Sequence, residues 1–244
     1  MKTPKSAEVK YRRQLIALTT KLRRDVNAQI VPLLRQLQSE YIGDGYATTL
    51  EEAFNRLRNA YADINANAQI VANSFVGNSN SVNKQRFYNS MESAFGINLQ
   101  TVIQNEGIEN ILVATTRENV SLIRSIPEEY FKKIESVVFT GTTQSNTAGS
   151  MIKQIQKIGS VTEKRAKLIA RDQSSKLNSA LVQQRSKSLG VEEYVWRTAG
   201  DERVRDSHRT KNGKTFRWDD PPKDTGHPGQ DIQCRCVAQP IINI

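Results

Sequence analysis

The chain has 244 residues, a formal net charge of +10, 37% hydrophobic and 7% aromatic residues, and a mean hydropathy of −0.56. That balance predicts an elongated helical part with a thin core plus one small compact domain. No stretch approaches the ~18 apolar residues of a membrane span, no apolar segment follows the N-terminal charges as a secretory leader requires, and two cysteines exclude a disulfide scaffold and fit a reducing compartment.

The charge is unevenly placed. Residues 1–40 carry +6, residues 41–149 carry −3, residues 150–190 carry +7, and residues 191–244 are neutral. The excess thus lies on helical stretches poor in aromatics. Such faces are either simply solvated or in contact with phosphates or an acidic protein surface, and phosphate contact would depend on salt. The candidate cations are Lys10, Arg12, Arg13, Arg23, Arg24, Lys164, Arg165, Lys167 and Arg171.

In chain order, apolar residues three to four apart predict a helix over residues 6–42, kinked at Pro32 and ended by the GDG at 43–45. Thr49 with Glu52 reads as a capping box opening a second helix that runs toward Phe75. The polar GNSNSVN at 77–83 reads as a loop, and shorter helices follow between Lys84 and Ser125. Pro127 reads as the start of the helix PEEYFKKIESVVF, with residues 141–150 as a connector. MIKQIQKIG is a short helix, and Ser160 with Glu163 opens another through Arg185 or Lys187. Its expected inner face is Ala166, Ile169, Ala170, Leu177, Leu181 and Val182.

After Gly190 the pattern changes. Strands are predicted at Tyr194–Thr198, Lys214–Trp218 and Ile232–Ala238, with a short helix capped by Asp201 and a turn at Asn212-Gly213. The expected fold class is α+β, with a helical arm over 1–150, basic lead-in helices over 151–190 and a small α+β module over 191–244. Trp196 and Trp218 are its expected core aromatics.

Both histidines and both cysteines fall in that module. His208, His227, Cys234 and Cys236 are the residue types that hold zinc together. On a strand, Cys234 and Cys236 point one way and Arg235 the other. The alternative is a pair of buried, apolar cysteines beside hydrogen-bonded histidines. A disulfide across C-x-C would be strained. Asp201, Asp206, His208 and Asp231 also raise a metal-dependent nuclease or toxin-like domain, although no His-His or His-Asn pair has the spacing that chemistry needs. Arg203 and Arg205 are expected to pair with Asp206, Asp219 or Asp220.

The run VWRTAGDERVRDSH, then NGKTF, PP, HPGQDIQCRC and a final proline, resembles the C-terminal module of the phage Mu F-like head morphogenesis proteins. IARDQSSKLNSAL and LGVEEY fit its lead-in helix, so the resemblance covers about residues 160–240. The family's recurrent positions correspond here to Trp196, Asp201, Arg203, His208, Gly213, Phe216, Pro222, His227, Pro228, Cys234, Arg235 and Cys236. The resemblance implies a minor capsid protein of a tailed bacteriophage rather than an enzyme. Such a protein is made in the bacterial host cytoplasm and sits in the virion near the portal. Its implied partners are the portal protein, capsid or scaffold proteins and double-stranded DNA, with no membrane anchor. A basic DNA-binding protein without a portal role is the remaining alternative.

Overall fold

A computed structural model describes residues 3, 5–36, 46–96, 106–144 and 146–241. The fold is α+β: long helices occupy most of the chain, and a small antiparallel sheet forms near its C-terminal end. Helix α1 is Lys5–Gln29 and α2 is Val31–Gln36. The break falls at Ile30, just ahead of Pro32, whose ring excludes a continuous hydrogen-bond ladder there. Ala7, Tyr11, Leu15, Leu22, Val26 and Ile30 form the buried stripe of α1. Residues 37–45, including the GDG stop, lie outside the described residues.

Helix α3 (Tyr46–Ala60) begins before Thr49, so the Thr49–Glu52 capping box is not its start. Helix α4 (Ile64–Phe95) runs straight through residues 77–83, correcting the predicted loop. The polar side chains in that stretch have partners that helical spacing aligns. Asn83 donates to Asn178 Oδ1 at 2.8 Å, and Asn80 accepts from Arg185 at 2.6 Å. Hydrogen-bonded asparagines cost a helix little more than other residues once their competition with the backbone is removed.

Helix α5 (Glu109–Thr143) contains Pro127 in its interior rather than at its start. The lost backbone bond costs about 3 kcal/mol. Burial of Ile123, Ile126, Tyr130 and Ile134 on both sides outweighs it, at about 1.5–3 kcal/mol per side chain. The expected connector shrinks to the few residues before α6 (Ala148–Ser188), where Thr147 Oγ1 accepts the backbone N–H of Ser150. Helix α6 is one continuous helix, so Ser160 is no cap. Its hydroxyl donates back to Gln156 O instead, and Glu163 pairs with Lys167 at 2.7 Å. The expected inner face is buried throughout. Gly190, at φ +72°, then turns the chain out of the helix.

The sheet has the order β2-β1-β3, with β1 (Glu193–Arg197) between β2 (Thr215–Arg217) and β3 (Val237–Ile241), all antiparallel. A short helix α7 (Asp206–Arg209) lies between β1 and β2. Gly213, at φ +80°, closes the turn before β2 and donates to Trp196 O at 2.8 Å.

The chain forms two compact units that do not follow chain order. One comprises Met1–Tyr11, Ala72–Glu118 and Ala170–Ile244; the other comprises Arg12–Val71 and Asn119–Ile169. The second is all helical. In it Tyr61 meets Phe131 edge-on at 5.4 Å and donates to Asp25 at 2.7 Å. The first holds the sheet, whose inner residues Tyr194 and Trp196 pack in one cluster with Phe87, Tyr88, Met91, Val182, Trp218, Cys234, Cys236 and Ala238. The C-terminal module thus shares its core with the ends of α4 and α6. Among the described residues, no helix is long and apolar enough to cross a membrane.

Candidate metal centre

The strand alternation of β1 buries Tyr194 and Trp196 on one face, and the residues that close this face come from the loop after β2. Helix α6 holds that loop through a polar stripe at helical spacing. Asp172 Oδ1 accepts the Gln233 N–H at 2.9 Å, Ser175 Oγ donates to Cys234 O at 2.6 Å, and Ser179 Oγ donates to Pro228 O at 2.7 Å. Gln233 sits at φ +58°, a left-handed conformation that redirects the chain just before the cysteines. Gly229, at φ +92°, lies so close to Ser175 and Ser179 that a side chain would press on helix α6.

The expected last strand lies further along the chain than Ile232–Ala238: β3 begins at Val237 and runs to Ile241, so Cys234 and Cys236 lie in the segment ahead of it. They keep the strand-like alternation nonetheless. Both sulfurs face His208, with Cys234 Sγ 3.4 Å and Cys236 Sγ 3.5 Å from its Nδ1, while Arg235 turns away to pair with Asp201. The other ring nitrogen of His208, Nε2, is 2.9 Å from Asp231 Oδ2. An ionised carboxylate only accepts, so Nε2 carries the hydrogen and the Nδ1 lone pair points at the sulfurs. Trp196 stands edge-on to the imidazole at 5.5 Å.

The two thiols are free and buried. The Cys234 thiol is held below its ordinary value. The Cys236 thiol donates to its sulfur, and the backbone N–H groups of Gly229 and Cys236 do so at 3.3 and 3.4 Å, against the opposing effect of burial. Cys236 is pushed up, by its bond to Cys234 and by burial. The Trp196 indole N–H makes no hydrogen bond of ordinary geometry, yet it favours the Cys236 thiolate.

His227 does not join this group. It packs against Tyr194 and Trp218 instead, with Nδ1 3.0 Å from the Tyr194 hydroxyl, Nε2 3.1 Å from Gln183 Nε2 and its ring 5.3 Å from the Trp218 ring. Its desolvated ring titrates below the ordinary histidine value. Among the described residues, His208, Cys234 and Cys236 are the set whose ligand atoms all lie within 4.8 Å of one another.

The remaining predicted positions are structural in their contacts. Asp201 does not cap α7, whose flanking residue is Arg205; it accepts the Arg203 N–H and pairs with Arg235. Arg235 holds the Asp201 carboxyl below its usual range. Arg203 and Arg205 pair with Asp201 and Asp231 rather than with Asp206, Asp219 or Asp220. Phe216 flanks the Tyr194 and Trp196 rings at 6.0 Å, and Pro222 O accepts the Gly226 N–H at 2.8 Å. Of the four residues that raised a nuclease, Asp231 and His208 meet, Asp201 is occupied by Arg235, and Asp206 is fully exposed beside Arg209.

Several candidate cations carry partners. Arg23 and Lys167 pair with Glu163, Arg24 with Asp25, and Arg165 with Glu129. Among the described residues, Lys10, Arg12, Arg13, Lys164 and Arg171 have no ion pair, and all but the half-buried Arg12 are exposed. Arg171 lines a cavity of about 230 Å³ with Arg203, Arg205, Arg235, His208, Cys234 and Cys236. Arg171, Cys234 and Arg235 also border a larger cleft of about 830 Å³ that reaches Lys5, Glu8 and Met91.

Residue types alone did not disclose the buried Arg185 network. Arg185 grips Glu106 at 2.8 and 3.2 Å and bonds Asn83, while Tyr88 donates to Glu106 at 2.9 Å. A lone arginine near the end of a basic helix carries no mark of burial, and its partners lie about eighty to a hundred positions away.

The fold and site define a mainly helical α+β protein whose C-terminal module is closed over a Cys–His cluster. Residues 132–239 match the family described as Phage Mu protein F like protein, so this part of the chain is similar to that family. The match reaches from the second half of α5 to β3, further upstream than the motif run at 160–240. An "Uncharacterized protein" of Haemophilus influenzae (strain ATCC 51907 / DSM 11121 / KW20 / Rd) is 34% identical over 249 residues. The alignment covers all of this chain and 55% of that protein, so the chain spans about half the length of the relative. No solved structure matches.

Proposed function

We propose that this chain is a minor capsid protein acting in head morphogenesis of a tailed bacteriophage, placed in the virion by docking on the portal. The observation that carries this reading is the Mu F-like match over 132–239, which covers the module from β1 into β3, with the Cys–His cluster inside it. Asp172, Ser175 and Ser179 clamp the loop ahead of β3 onto the C-terminal half of helix α6, which suits a structural part of a particle. The helices provide contact area for portal, capsid or scaffold subunits. The exposed cations Lys10, Arg13, Lys164 and Arg171, which have no ion pair among the described residues, favour a position near packaged double-stranded DNA.

Co-purification with the portal protein and with assembled heads tests this reading. The chain is expected to co-sediment with procapsids, and deleting its gene is expected to lower the yield of filled heads. Normal head assembly without it, with no portal binding, would overturn the proposal. DNA proximity is tested separately by salt titration: affinity should fall steeply with salt, and a flat dependence excludes phosphate contact.

A further inference from the structure

We infer that His208, Cys234 and Cys236 hold a zinc ion through three protein ligands, with the fourth position open to an anionic oxygen ligand in the arginine-lined cavity. Tetrahedral zinc with Zn–N of about 2.0–2.1 Å and Zn–S of about 2.3 Å places a ligand nitrogen about 3.6 Å from each ligand sulfur. His208 Nδ1 lies 3.4 and 3.5 Å from the two sulfurs, and all three ligand atoms lie within 4.8 Å of one another, so both nitrogen-to-sulfur spacings match that geometry. Two thiolates and an imidazole are a donor set that selects a thiophilic, borderline-soft ion.

The surroundings are those of a ligand set rather than of an apolar thiol pair. Asp231 accepts from His208 Nε2, which orients the ring and fixes Nδ1 as the metal-facing atom. Backbone N–H groups from Gly229 and Cys236 point at Cys234 Sγ, and such donors stabilise a metal-bound thiolate. On binding, both thiols release their protons to solvent and His208 supplies a neutral lone pair. Zinc with two thiolates is uncharged as a unit, so the remaining position accepts water or an anion.

The cavity decides between these. Cys234, Cys236 and His208 line its floor, and Arg171, Arg203, Arg205 and Arg235 border it. Three of the arginines have carboxylate partners, whereas Arg171 has no ion pair among the described residues. His227 is excluded from the ligand set because Tyr194 and Gln183 hold it elsewhere. A phosphate or carboxylate oxygen fits the fourth position, balanced by the guanidinium groups.

The full chain is loaded with zinc, freed of unbound metal by gel filtration, and its metal content measured. The expected result is one zinc per chain, lost in His208→Ala, Cys234→Ser and Cys236→Ser and kept in His227→Gln. Asp231→Asn should weaken zinc binding by about 10–100-fold. Because core substitutions can unfold the module, the cobalt form of the unaltered chain gives an independent readout. It should show thiolate-to-cobalt charge-transfer absorption and tetrahedral d–d bands that shift when inorganic phosphate is added. No zinc in the loaded chain, or no charge-transfer band, overturns the metal site. Loss of metal from a folded His227→Gln chain overturns the three-ligand set, and d–d bands indifferent to phosphate overturn the open position.

Discussion

The all-helical unit and the sheet-bearing unit are held together by different physics. In the helical unit, Thr19, Asn119 and Thr162 are the buried polar residues among those described, and the rest of the core is Leu, Val, Ile, Ala, Met, Phe and Tyr at helical spacing. The sheet-bearing unit buries Asn83, Glu106, Asp172, Ser175, Asn178, Ser179, Arg185, His208 and His227 among its aromatics. Apolar burial is non-directional and tolerates sliding and repacking, whereas a buried hydrogen-bond network allows one arrangement and penalises all others. The unit that carries the cysteines is therefore the one with a single fixed geometry, which a positioned ligand set requires.

The largest effect that separates the units is expected from Arg185→Ala. Removing the guanidinium leaves Glu106 Oε2 and the side-chain oxygens of Asn80 and Asn83 without their arginine donor beside a void, costing about 3–5 kcal/mol. Thermal unfolding should show the loss, and a shift of less than about 2 °C would mean that water replaces the network. Leu22→Ala in the helical unit should cost about 2–5 kcal/mol through cavity formation alone. Leu22→Met should recover most of that stability, whereas Arg185→Lys should recover little, because an ammonium cannot reproduce the two-pronged grip on Glu106. Equal recovery in both would erase the contrast.

Smaller losses, about 1–3 kcal/mol each, are expected for Ser175→Ala and Ser179→Ala, which leave the buried carbonyls of Cys234 and Pro228 without donors. Hydrogen exchange should report faster opening confined to residues 227–236. The smallest effect is a pH dependence. His227 is held below its ordinary value of 6.5, chiefly by burial, so the unfolded chain binds its proton more readily than the folded one. Its contribution is present above pH 6.5 and is lost as pH falls below that value toward the folded pKa. In His227→Gln, the decline of stability through that window should flatten; an unchanged slope would assign the decline to other groups.

Much of the helical architecture was legible because apolar residues recur three to four positions apart and are independent of what they pack against. The stripe of α1 and the inner face of α6 were readable in this way. Local punctuation was less trustworthy. GNSNSVN, Pro127 and the Ser160–Glu163 pair all carry the marks of loop or helix start, and all lie inside helices. Each penalty is a few kcal/mol at most. Contacts far along the chain, such as Asn83 with Asn178 and Arg185, exceed it. At the site, the C-x-C spacing alone put both sulfurs on one side and Arg235 on the other, because alternation in extended chain is a local property.

Sequence by itself determined the α+β class, the helical stripes, the concentration of rare residues after Gly190 and the likeness that the Mu F-like match over 132–239 bears out. Tertiary structure alone decided which histidine faces the cysteines. His208 and His227 are the same residue type in the same module, and nothing in their spacing tells them apart. Asp231 turns His208 toward the sulfurs, and Tyr194 and Gln183 turn His227 away. Those partners are set by the sheet register and by the loop seated on α6, so the choice follows from long-range packing, which no local pattern encodes.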